Sequence, residues 1–154
     1  MLGPGTGWSV THVGDFNGDG KSDLIWEHVD GWSAIWLMDG LNQIGGAGLL
    51  AAGDGWKVKL IGDLNGDGKS DIVWQNSDGR VSAWLMDGLY LSSGAGWLGP
   101  NTGWSPILTG DFNGDGKSDI LWQHSDGSVA MWLVDGLGLS AGAVVLEPAT
   151  GWVP

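Results

Sequence analysis

One decapeptide constrains this chain more than any other feature of it. "GDFNGDGKSD" begins at Gly14, "GDLNGDGKSD" at Gly62 and "GDFNGDGKSD" again at Gly110, a step of 48 residues each time. Tryptophan keeps the same step, at Trp8, Trp56, Trp104 and Trp152, at Trp26, Trp74 and Trp122, and at Trp36, Trp84 and Trp132. Self-similarity at a fixed period of this size signals a solenoid, a propeller or an array, in which each unit buries its apolar surface against its neighbours.

One unit reads as four short strands. In the second copy "WKVKLIGD" is an apolar-alternating segment, and the acidic loop follows it. "DIVWQN" and "VSAWLM" are β-branched and aromatic runs separated by the turn "SDGR", and "DGL" leads into a weaker fourth strand, "YLSSGAGWL". Asp-Gly pairs between such runs are hairpin signals. Thirty Gly suit a chain of many tight turns, and no segment carries a helical period. Along the third run, Val81, Ala83 and Leu85 fall on one face and Ser82, Trp84 and Met86 on the other, and both faces are largely apolar.

A four-stranded sheet with two apolar faces needs a neighbour on each side, which is the condition of a propeller blade. The expected fold is therefore all-β: a β-propeller with three four-stranded blades per chain. Residues 1–154 form a single repeat domain, with blades at approximately 7–54, 55–102 and 103–150. Met1 to Pro4 align with Trp97 to Pro100 and with Val145 to Pro148, so three whole blades are expected. A ring takes at least about four blades. Completion by oligomerisation is expected, unless the chain is an excised piece of a longer array. The common ring sizes favour a homodimer of six blades over a homotrimer of nine.

The decapeptide itself has the chemistry of a cation site. With Asp15 as position 1, Asn17, Asp19, Lys21 and Asp23 occupy positions 3, 5, 7 and 9. Calcium takes six to eight hard oxygens, and this spacing offers side-chain oxygens at 1, 3, 5 and 9 and a backbone carbonyl at 7. The second site would use Asp63, Asn65, Asp67, Lys69 and Asp71, and the third Asp111, Asn113, Asp115, Lys117 and Asp119. One Ca²⁺ per repeat, three per chain, is expected. An EF-hand would place Glu at position 12 between helices; here that position is Trp26, Trp74 or Trp122, inside a strand. A phosphate loop fails too, because the first Gly of that motif falls on Asp. The bland reading is an Asx-rich turn with no metal.

The formal net charge of −12 points the same way. It argues against nucleic acid and against an anionic membrane surface, both of which need basic patches. There is no Cys. No stretch is long and apolar enough for membrane insertion, and no signal peptide is expected at the start.

"GDFNGDGKSDILWQHSDGSVAMWLVDG" resembles the FG-GAP/VCBS repeat of bacterial secreted proteins. Similar calcium loops occur in integrin α-subunit propellers and in a fungal propeller lectin that binds N-acetylglucosamine. The resemblance covers all three units. It implies a first strand that is innermost, calcium loops on one face of the ring, and a secreted or extracellular location.

On the opposite face lie the second-to-third turns and the inter-blade loops. A sugar site needs an aromatic surface and a few polar groups. His28, Asn76 and His124 with Asp30, Asp78 and Asp126 can supply the polar part, and Trp56 or Trp104 the aromatic part. The competing reading makes these His residues solvated turn residues and most of the Trp inter-blade packing. Trp32 and Trp97 break the repeat and are expected to be surface aromatics. The function expected is a calcium-stabilised binding module with lectin-like recognition of glycans. The alternative is a purely structural or self-assembling propeller fragment, or an engineered repeat array, without a ligand of its own. No enzyme is expected, since no acid, base or nucleophile stands out from the repeat; Tyr90, the only Tyr, falls in the outermost strand.

Overall fold

A computed structural model of the chain describes residues 5–147. Trp152, Pro148 and Met1 to Pro4, on which the alignment of the termini rests, lie outside the described residues. The twelve strands fall into three antiparallel sheets of four, each in chain order. The first holds β1 (Trp8–Gly14), β2 (Asp23–His28), β3 (Ser33–Asp39) and β4 (Asn42–Gly48). The second holds β5 (Trp56–Gly62), β6 (Asp71–Asn76), β7 (Val81–Asp87) and β8 (Tyr90–Leu98). The third holds β9 (Trp104–Gly110), β10 (Asp119–His124), β11 (Val129–Asp135) and β12 (Gly138–Leu146). The four-strand reading of each unit holds, and the sheets are blade-like.

The sheets pack face to face through two apolar cores. Phe16, Ile25 and Ile35 of the first sheet meet Val58, Ile72, Trp74 and Met86 of the second. Leu64, Val73, Val81 and Ala83 of the second meet Ile120, Trp122 and Val134 of the third. The middle sheet thus sends alternate residues to opposite cores, as a strand with a two-residue side-chain period must. Ile72 and Trp74 go one way and Val73 the other. Each large aliphatic side chain buried this way contributes about 1.5–3 kcal/mol, so both faces of the middle sheet are committed to packing.

The first strands of the three sheets run side by side, β5 between β1 and β9, and the Thr109 hydroxyl donates to the Ile61 carbonyl at 3.0 Å. Each of these first strands carries a bulge. The register of β5 against β6 shifts between Val58 and Leu60, and β1 and β9 shift at the equivalent place. The extra residue, Lys59, swings out, so Val58 faces one core while Leu60 packs against the other. Simple alternation along "WKVKLIGD" does not anticipate this.

Trp97 corrects an expectation. It is a half-buried pin between the second and third sheets, packed on Trp122 and Trp132 at 6.3 and 5.9 Å, with its indole N–H donating to the Leu137 carbonyl at 3.1 Å. Trp32 is half exposed, as expected.

Candidate metal centres

The decapeptide is the loop between the first and second strands of every sheet. In the second sheet, one Asp63 carboxylate oxygen accepts from the Gly66 and Asp67 N–H groups at 2.9 and 3.2 Å. The other accepts from Gly68 N–H at 2.9 Å. Gly68 sits at φ 84°, where a side chain is strained, which is why the turn needs glycine there. Asn65 accepts from Asp67 N–H at 3.3 Å, and Asp67 from Lys69 N–H at 2.9 Å. Asp15 and Asp111 hold their own loops by the same bonds. Asn17 and Asn113 likewise accept from Asp19 and Asp115, and Asp19 and Asp115 from Lys21 and Lys117.

Position 9 is different in kind. Asp71 is fully buried and accepts from Leu64 N–H and Met86 N–H, both at 2.8 Å. It bolts the loop to the third strand of its own sheet. Asp23 does the same for Phe16 and Met38, and Asp119 for Phe112 and Val134. Burial pushes the Asp71 carboxyl up to about 7, against the opposing pull of those two N–H groups.

Two of the three loops converge on a cation-sized centre. Asp63, Asp67 and Asp71 each offer a carboxylate oxygen, all within 4.8 Å of one another, and Asp111, Asp115 and Asp119 do likewise. Three carboxylates this close repel one another unless something positive lies between them. Acceptor-only oxygens of this hardness fit a divalent cation such as calcium rather than a soft metal.

Sequence comparison places these loops. A family described as FG-GAP-like repeat matches residues 63–122, and one described as FG-GAP repeat matches residues 6–26. The chain carries FG-GAP repeats. No curated protein matches it.

Two loop residues of these FG-GAP repeats do work that the spacing does not reveal. Lysine at position 7 pairs through its ammonium with the aspartate that ends the third strand, Lys21 with Asp39 at 3.0 Å, Lys69 with Asp87 at 2.8 Å and Lys117 with Asp135 at 3.1 Å. Serine at position 8 joins neighbouring sheets. Ser70 N–H donates to the Asp15 carbonyl at 2.7 Å, and its hydroxyl accepts from Asp15 N–H at 3.0 Å. Ser118 makes the same pair of bonds with Asp63. The only signal for either residue was its recurrence with the period.

The residues expected to hold a sugar separate into two groups at the opposite end of the FG-GAP sheets. His28 Nε2 meets the Thr6 carbonyl at 2.9 Å and its Nδ1 accepts from Asp30 N–H at 3.0 Å. Asn76 donates to the Asp54 carbonyl at 2.8 Å and accepts from Asp78 N–H. His124 repeats the His28 arrangement with Thr102 and Asp126. These side chains tie each inter-blade loop to the second turn of its blade. Asp78 and Asp126 in turn accept from the Arg80 and Ser128 N–H groups. His28 and Asn76 also line polar pockets of about 210 and 220 Å³.

The tryptophans line different spaces. Trp56 lines a cleft of about 180 Å³ with Leu50, Trp74, Ser82 and Trp84. Trp104 lines its counterpart of about 440 Å³ with Leu98, Trp122, Ala130 and Trp132. Ring contact still joins Trp104 to His124 at 4.9 Å, and Arg80 stacks over Trp56 at 5.2 Å. The indole N–H groups of Trp26, Trp74 and Trp122 are buried and have no acceptor among the described residues.

Proposed function

We propose that this chain is a calcium-stabilised binding module that recognises carbohydrate in the tryptophan-walled clefts between its sheets. The observation that carries the reading is the repeated cleft itself. Trp56 and Trp84, both half-buried, wall one, and Trp104 and Trp132 wall the other in the same arrangement 48 residues on. An aromatic wall suits the C–H face of a pyranose, and the Ser82 hydroxyl that lines the first cleft suits a sugar hydroxyl. The acidic loops at the other end hold calcium and fix the sheets that form the walls. Weak sites repeated along one chain gain strength on a multivalent surface.

A glycan array probed in calcium, followed by titration with N-acetylglucosamine monitored by tryptophan fluorescence, tests this. A saturable signal weakened by Trp104→Ala is expected. No signal on any glycan would leave the structural reading, in which the repeat serves packing alone.

A further inference from the structure

The contacts that join one sheet to the next are the same at both junctions, and both ends of the row are left with half of that set. At the first junction Ser70 exchanges two bonds with Asp15, and Gly88 N–H donates to the Phe16 carbonyl at 2.8 Å. At the second, Ser118 does so with Asp63, and Gly136 N–H donates to the Leu64 carbonyl at 2.8 Å. One step of 48 further on, the backbone groups of Asp111 and Phe112 are the acceptors and donor waiting for such a partner. One step back, Ser22 and Gly40 are the residues that would supply it. None of these four makes the junction bond among the described residues.

Burial follows the same rule. Phe16 and Leu64 are each 0% exposed beneath the next sheet, whereas Phe112 is 44% exposed. Leu89 and Leu137 pack into the two cores, whereas their counterpart Leu41 is 99% exposed. Val58 is 5% exposed and Val10 is 42% exposed. A side chain added at Gly18 or Gly66 would press on Lys69 or Lys117 of the following sheet, while Gly114 faces open space.

We propose that a second copy of this chain docks its first sheet, through Leu41, Ser22 and Gly40, onto the outer face of the third sheet, through Phe112 and Asp111, repeating the internal junction between molecules. The two open faces lie at opposite ends of one row, so the contact is head to tail. A single contact leaves one head and one tail unpaired. Two copies that satisfy both make six blades, inside the four-to-eight range of closed propellers; three copies make nine, outside it. The occupant is a second copy because the unmet hydrogen bonds and the exposed apolar residues are those that this chain's own sheets already satisfy at two junctions.

Sedimentation equilibrium and native mass spectrometry on the 154-residue chain at tens of micromolar, in calcium, test the proposal. The expected species is twice 16.1 kDa. Leu41→Asp and Phe112→Asp, each on an exposed side chain, are expected to be monomers with an unchanged circular dichroism spectrum. Mixed in equal amounts, they are expected to form a dimer again, because one intact head meets one intact tail. A wild-type monomer of 16.1 kDa would overturn the proposal. A three-copy species would overturn closure at six blades. A dimer that survives both substitutions, or variants that do not recover on mixing, would overturn the head-to-tail interface.

Discussion

Replacing Asp71 with alanine separates the two duties of the acidic loop. The Asp71 carboxylate is fully buried and is the acceptor for the N–H groups of Leu64 and Met86, both at 2.8 Å. Its removal leaves two buried donors without a partner. Each such orphan costs about 1–3 kcal/mol, so Asp71→Ala should lose about 2–6 kcal/mol with all metal chelated. That is a large share of the 5–15 kcal/mol, or roughly so, that holds a domain folded. Asp67→Ala is the contrast. Asp67 is exposed and holds only the Lys69 N–H, which water can satisfy instead, so the same chelated measurement should lose less than about 1 kcal/mol. Calcium then adds a loss common to both variants. At about 100 times its dissociation constant a ligand stabilises the fold by about 2.7 kcal/mol per site, and both variants should lose that increment at the second loop. Urea unfolding followed by tryptophan fluorescence, in EDTA and in calcium, reads all four quantities. Equal costs for the two variants in EDTA would refute the division between a buried bolt and an exposed ligand.

Other perturbations test neighbouring parts of the argument. Chelation should lower the melting temperature of the wild-type chain and added calcium should restore it, and identical melts would count against metal in the loops. Burial lifts Asp71 to about 7, above its ordinary 3.8. In the chelated chain this group therefore favours the folded state fully below 3.8, and that contribution is lost as pH rises through 7. Calcium needs the carboxylate, so adding it at pH 6 should release protons into a weakly buffered solution, and Asp71→Asn should reduce the release. Gly116→Ala, at φ 82° in open space, should cost the left-handed strain of about 1–2 kcal/mol alone. Gly103→Ala should cost more by calorimetry, because its Cβ would fall 2.6 Å from the His124 ring nitrogen that holds the loop. Lys69→Ala should leave the melting temperature nearly unchanged at physiological salt, since its pair with Asp87 lies at the surface.

The period made most of the fold legible. A run such as "DIVWQN" could be read as a strand from its composition, and its repetition fixed where each strand stands. The acidic loop was legible for the same reason, because three identical oxygen patterns exceed what a turn requires. Other features depend on partners that sequence does not place. The bulge at Lys59 is a mismatch in residue count between β5 and β6, and no Gly or Pro marks it. Trp97 breaks the repeat and so looked superficial, yet its acceptor is the carbonyl of Leu137 in the next sheet. The polar residues at His28, Asn76 and His124 spend their hydrogen bonds on loops 22 residues earlier in the chain, which composition cannot reveal.

The order of the strands bears on how the chain reaches its fold. Every strand pairs with the one made just before or just after it, and no sheet contains a crossover. Closing each hairpin needs only a short loop, which keeps the entropy of closure small, and the separations of 55 residues appear only where one sheet meets the next. A chain emerging from the ribosome can therefore zip one meander at a time, and each completed sheet offers the following one a finished surface to fold against.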